Sequence, residues 1–267
     1  MTRTDRRRLL LATLALAALP GRGRAQVDMM MRGVDLDAPR MREAELTRAE
    51  VEAMIAAGGP VDLHDRSLNG LDLSGLDLTG ADLRWARLNR ANLSGCRLDR
   101  ANLALVWAIG ADFSKASLRD ADLFQGQFRE ARFEGADLSG ARLVGDFSRA
   151  SFRAAALGGV RAGADLTNQS MGLIRAVLRS AVLDGADLRG ADFTLADCEF
   201  AKFRGADLRD AVFAKALLGG ADFTGARVAG LDLGEADLAS AVLKELDGAG
   251  AIRGLDRAKN LDRAFRD

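Results

Sequence analysis

From Leu63 onward an apolar residue returns at every fifth position. The frame from 63 to 143 reads Leu or Phe except at Ala108, and from 178 to 243 except at Cys198 and Val228. Two residues before each of these centres is a small slot, Ala at every step from 176 to 241 except Leu231. A period of five is neither the 3.6 of a helix nor the 2 of a flat strand. In an extended backbone, residues two apart face the same way, so the small slot and the centre point inward together. The next inward residue comes three positions on, and the extra residue turns the chain. Gly70, Gly75, Gly80, Gly95, Gly135, Gly140, Gly185 and Gly190 fall at that turn, where their conformational freedom is useful. The pattern predicts a coil of short edges and corners around a Leu/Phe interior. Its turns stack like parallel strands, about 4.8 Å apart. Three or four edges per turn fit the spacing equally.

Between 144 and 175 the frame fails, its centres becoming Ser148, Arg153, Gly158, Gly163 and Asn168. Fragments persist one residue early at Phe147, Phe152 and Leu157, then at Ala164-Asp165-Leu166, and Leu173 is back in frame. This reads as a deletion-like corner near 145, a few shifted repeats, and a bulge or loop within 159–175 with its tip at 168–172. Rigid scaffolds often carry function on such loops, although a tolerated irregularity gives the same pattern.

The open ends of a stacked coil need caps. Thr47 and Glu50 have capping-box spacing, Leu46 and Val51 have staple spacing, and Gly58 is a stop signal. A helix is predicted over 48–57 within a capping segment 46–60, with Val51, Met54 and Ile55 facing the first turn. At the other end Leu255, Ala258, Leu261 and Phe265 have amphipathic spacing, which predicts a short helix in a C-terminal cap, 249–267. Residues 26–45 read as a linker.

The recurring triplets Ala81-Asp82-Leu83, Ala121-Asp122-Leu123, Ala136-Asp137-Leu138, Ala186-Asp187-Leu188, Ala206-Asp207-Leu208 and Ala236-Asp237-Leu238 resemble the pentapeptide-repeat family. The resemblance implies an all-β fold: a right-handed quadrilateral parallel β-helix of 20 residues per turn, with short helical caps. Across 61–248 that makes about nine turns and a rod of roughly 45 Å. Such repeats are specific for fold and weak for function. The resemblance also implies that some relatives pair through the C-terminal end, a homodimer contact, and that some mimic DNA and bind topoisomerases.

Composition adds to this picture at the N-terminus. Residues 1–25 have a basic start with Arg6-Arg7-Arg8, an apolar run from Leu9 to Leu19, and a Gly-Arg-Ala step before Gln26. The run is shorter than the roughly 20 residues of a membrane span. It has the layout of a cleavable, twin-arginine-like export signal, so a periplasmic or otherwise exported protein is expected, with no membrane insertion after cleavage. Removing 1–25 takes away six Arg and one Asp and leaves a net charge of about −5. Nucleic-acid binding, which wants a concentrated basic face, is not expected. Arg84, Arg87, Arg90, Arg97, Arg100, Arg129, Arg132 and Arg142 interrupt the acidic stripes, which also weighs against DNA mimicry.

Little in the chain suggests catalysis, and no cofactor or metal is expected. His64, the one histidine, follows a centre and should point outward. Cys96 and Cys198 should be buried and too far apart for a disulfide. The glycines of 248–254 miss the dinucleotide-binding spacing. The Asp/Asn before each centre is explained by bonds to neighbouring corner backbone. One feature breaks the outward pattern of Asp, Asn, Ser, Arg and Gly. Trp85, Leu105, Trp107 and Phe124, with Ile109, fall near one corner, and both tryptophans of the chain are among them. Apolar groups on outward slots mark an interaction surface or a place covered by the protein's own chain. The expected function is a non-enzymatic exported scaffold that presents a rigid surface to an unidentified protein partner. The alternatives are a DNA-mimic topoisomerase-binding protein and a carbohydrate- or cell-wall-binding module.

Overall fold

A computed structural model describes residues 38–164 and 173–267, and Leu36–Asp267 form one compact unit. The export segment, most of the expected linker and the loop tip at 168–172 lie outside the described residues.

Four parallel ladders run through the unit. The Asp62 column continues to Asp82, Asn102, Asp122 and Arg142; the Ser67 column to Arg87, Trp107 and Gln127; the Asp72 column to Asn92, Asp112 and Arg132; the Asp77 column to Arg97, Ser117 and Asp137. Partners are twenty residues apart and successive columns five apart, so the turn has four edges. These edges are called sides A, B, C and D in that order. The bonds of one edge explain the clock. Asp82 N–H donates to Val61 of the turn below, and Leu83 N–H to Asn102 of the turn above. Ala86 N–H then donates back to Leu83 O, closing a corner whose third residue, Trp85, has φ 62°. That is the turn geometry that requires a left-handed residue.

The centres of the regular turns are buried, as are their small slots beyond the first turn, where Arg66 is exposed and Leu71 and Leu76 are half-buried; phenylalanines stack along the axis. Phe113, Phe133 and Phe152 lie 4.9 and 4.8 Å apart, and Phe128 lies 4.9 Å from Phe147. Gly126 occupies a small slot that is most often Ala, and a Cβ there would meet the Phe128 ring at 2.4 Å.

The interruption resolves into two register changes. Gln127 pairs with Asp146, one residue short of the regular turn. The missing residue is at the corner of Gly145, where a Cβ would sit 2.6 Å from Gly126 O. Phe147, Phe152, Leu157 and Ala162 are then the buried centres of the shifted turn. Asp146 next pairs with Val177 and Arg161 with Asp192, so the extra residues enter between Arg161 and Val177, at the corner of sides A and B. Leu173, expected back in frame, is instead 36% exposed; the repeat resumes at Ala176-Val177-Leu178 because the ladder re-forms only at Val177.

At the N-terminal end, helix α1 spans Arg48–Ala56, with Thr47 and Glu50 making both bonds of a capping box. Val51 is fully buried, and Met54 and Ile55 pack on the core. Before it, residues 38–46 are not a free linker but a strap along side B. Ala44 pairs antiparallel with Leu68, Glu45 N–H donates to Ser67 O at 2.8 Å, and Met41 is buried.

The C-terminal end departs from the expected helix. Short 3-10 turns at Ala249–Ala251, Leu255–Arg257 and Leu261–Arg263 each follow a left-handed residue: Gly248, Gly254 and Asn260. Each turn ends in extended backbone, so no helix propagates. Arg253 and Lys259 join the ladders above Asp232 and Asp237. Strand β1 (Val242–Leu243) pairs in parallel with β2 (Phe265–Arg266). The coil therefore continues past 248 in six-residue edges.

Candidate functional site

The carboxylates of the repeat are part of the scaffold. Asp72, Asp82, Asp112, Asp122, Asp137, Asp192 and Asp222 each accept, through Oδ1, the N–H two residues on, at 2.8–3.1 Å. This is an Asx turn, and it satisfies an outward corner N–H. The same bonds favour the charged form. Asp72 is held below the usual carboxylate range first by its bonds to Ser74, and Asp82 first by its bond to Arg84. His64 is exposed, and among the described residues no His, Cys, Asp and Glu cluster is placed to hold a metal. Both cysteines are free and buried. Burial pushes the Cys96 thiol up to about 11 and the Cys198 thiol well up. Such thiols are poor nucleophiles.

Of the sequence-predicted apolar residues, Trp85, Leu105 and Phe124 lie at the corner of sides A and B, Trp107 follows on side B, and Ile109 lies at the next corner. Trp85 and Leu105 occupy the left-handed position of the first of these corners on successive turns, with Gln125 next. Trp107 stands in the side B ladder between Arg87 and Gln127. Trp85 is 49% exposed; Leu105, Trp107, Phe124 and Ile109 are half-buried. The Arg142 guanidinium lies 3.7 Å from the centre of the Phe124 ring, a cation–π contact that covers one ring face. Gln127 is buried above Trp107, and its Oε1 has no partner among the described residues.

The strap borders this patch. Asn69 and Asn89 on side B accept the N–H groups of Asn89 and Ile109 from the turns above. Their Nδ2 groups donate to the strap carbonyls of Glu43 and Met41 at 3.5 and 3.4 Å. A small cleft at the upper end of the strap is lined by Met41, Arg42, Asn89, Arg90 and Ile109. The described strap thus lies over the lower part of side B and reaches the patch at Ile109.

The family model for pentapeptide repeats matches in eight copies, over residues 61–95, 86–135, 111–153, 173–210 and 216–247. The chain belongs to the pentapeptide-repeat family. Its four ladders are the quadrilateral parallel β-helix of that family, right-handed as the resemblance implied. Among solved structures, the chain is similar to HetL, a pentapeptide repeat protein involved in heterocyst differentiation regulation in the cyanobacterium Nostoc sp. strain PCC 7120. The match has 28% identity and a TM-score of 0.36, over 83% of this chain and 95% of that one. A second Nostoc PCC 7120 pentapeptide repeat protein is 31% identical over 39% of this chain and 80% of its own, with a TM-score of 0.33. QnrB1, a plasmid-mediated fluoroquinolone resistance protein, is 14% identical over 78% of this chain and 92% of its own, with a TM-score of 0.40. No curated protein matches the chain.

The pentapeptide-repeat frame also exposes what the sequence reading missed. Phe200, at 62%, is more exposed than either tryptophan named above. It stands in the left-handed position at the corner of sides B and C, with its ring lying over Gly220. The signal was present, since Phe200 fills a corner slot that is elsewhere Gly or polar. Local spacing gives no link between the loop expected within 159–175 and the aromatic patch. The register puts both at the corner of sides A and B, two turns apart.

Proposed function

We propose that this pentapeptide-repeat protein is a non-enzymatic, exported scaffold whose corner of Trp85, Leu105, Trp107 and Phe124 binds a protein partner. The observation that carries this reading is Trp85, half exposed on a slot that the fold does not need to be apolar. Repeat scaffolds place side chains at fixed spacing on a rigid frame, and aromatic anchors dominate interface energetics. The Asp residues are read as scaffold, because Oδ1 accepts a corner N–H and Oδ2 faces an arginine, as at Asp82, Asp112 and Asp122. DNA mimicry is not favoured: basic residues alternate with acidic ones, as in the pairs Arg97–Asp77, Arg132–Asp112 and Arg204–Asp222.

Export rests on the N-terminal signature alone. A reporter fused to residues 1–30 should leave the cytoplasm, and changing Arg6 and Arg7 to Lys should block a twin-arginine route. The C-terminal end bears a homodimer reading. Phe265 is 57% exposed on β2, at the last ladder. Sedimentation of the mature chain, with and without Phe265→Ser, tests it.

The partner reading is tested by replacing Trp85 and Trp107 with Ser. Stability should change by no more than about 1 kcal/mol, as for surface positions. Capture of a specific partner from the exported fraction by the mature chain should be lost. Strong destabilisation by these changes would mean instead that the patch is covered by the protein itself.

A further inference from the structure

On the upper turns, the corner of sides C and D carries Gly185, Gly205 and Gly225, with open space beside the first two. This bare ramp leads to a cleft of about 260 Å³ lined by the side D residues Asp187, Arg189, Asp207, Arg209 and Arg227. Elsewhere on the coil arginines and carboxylates form pairs, such as Arg97–Asp77 at 3.2 Å, and small clusters, such as Asp197 with Arg179 at 2.8 Å and Arg175 at 3.9 Å. Here one carboxylate serves three guanidiniums. Asp207 lies 2.7 Å from Arg209, 3.0 Å from Arg227 and 3.7 Å from Arg189, and it is only 4% exposed. Arg189 also holds Asp187, at 2.6 Å. Three positive groups therefore face two negative ones. Of the other carboxylates near that edge, Asp210 lies over Gly230 at the next corner, and Asp247 stands above Arg227 in the side D ladder.

Each guanidinium has five N–H donors in a planar fork. Those of Arg189 and Arg209 donate to Asp187 and Asp207 through Nε and Nη2. Arg227 approaches Asp207 through Nη2. The Nη1 groups of all three are not used in these contacts. We propose that this cleft binds an oxyanion, the carboxylate or phosphate group of a ligand, on Arg189, Arg209 and Arg227. Fork geometry matches both groups. The glycine ramp leaves the approach unobstructed, and the fixed rise of the coil holds the three side chains in register. This site is independent of the aromatic corner, so the two stand or fall separately.

The test is calorimetric titration of the mature chain at low ionic strength with inorganic phosphate and, separately, with a short glutamate peptide, using chloride as control. Saturable binding of at least one of the two is expected. Binding of phosphate alone assigns a phosphoryl ligand, and binding of the peptide alone assigns an acidic protein segment. Arg227→Gln should weaken binding about tenfold, as for one charge-assisted bond. Gly205→Glu should abolish it by placing a carboxylate in the cleft mouth. Glutamate already occupies left-handed corners at Glu130, Glu235 and Glu245, so the fold tolerates it there. Gly75→Glu, at the same corner of the lower turns, should leave binding unchanged. No saturable binding of either ligand, or equal loss with Gly75→Glu, would overturn the proposal.

Discussion

The regular turns and the final turn are built with the same device and differ in where it is placed. In both, one left-handed residue marks each corner. In the regular turns it comes three residues after the ladder position, as Trp85 follows Asp82, and two inward residues per edge enclose the axis. In the final turn it follows the ladder position at once, as Gly254 follows Arg253 and Asn260 follows Lys259. A 3-10 turn is then inserted before the next edge. Leu255 and Leu261, in these turns, pack against the core cluster together with Ile252 and Ala258. An added residue per edge thus turns a continuing coil into a closing one. No α-helix is needed at this end, whereas α1 closes the other.

This contrast can be broken experimentally, beginning with the largest effect. Leu103→Ala removes a fully buried centre of a regular turn. It should cost roughly 2–5 kcal/mol by chemical denaturation, through lost burial and a cavity. Gly254→Ala should cost roughly 2–4 kcal/mol. It combines φ 68° with a Cβ 2.7 Å from Gly234 Cα, so strain and overpacking add. Gly75→Ala, with φ 73° and nothing near its Cβ, should cost only about 1 kcal/mol. An equal cost at the two glycines would show that the final turn is not seated tightly on the one below. Leu261→Ala, half-buried over the end, should cost about 1 kcal/mol. A cost as large as that of Leu103→Ala would make the closing turn part of the main core.

Corner chemistry gives the comparison a sharper form. Many corners hold a non-glycine residue at positive φ, including Arg90, Lys115, Asp120 and Phe200, but none of those residues is Val, Ile or Thr. A left-handed backbone tolerates an unbranched Cβ better than a branched one. In the same denaturation assay, Gly75→Val should therefore be clearly less stable than Gly75→Lys.

Much of the coil was legible because its interior is one-dimensional. Each centre meets the same neighbours twenty residues away, so local spacing already encodes the long-range contact. Thr47 and Glu50 were legible for the same reason, since a capping box is a local bond pattern. The C-terminal reading failed because Leu255, Ala258, Leu261 and Phe265 satisfy helical spacing by coincidence. The stronger signal was the six-residue recurrence of Gly254-Leu255-Asp256-Arg257-Ala258 and Asn260-Leu261-Asp262-Arg263-Ala264.

What the sequence determined by itself was the period, the inward residues, the corner slots and hence the family. These follow from steric alternation along one strand of chain. Only the tertiary structure decided which outward residues meet. The seating of the strap on Asn69 and Asn89, the sharing of Asp207 by three arginines, and the common corner of Trp85 and the inserted segment depend on register. A one-residue deletion at Gly145 and the longer insertion after Arg161 reset that register. Outward side chains, unlike the buried centres, carry no periodic constraint from which it could be recovered.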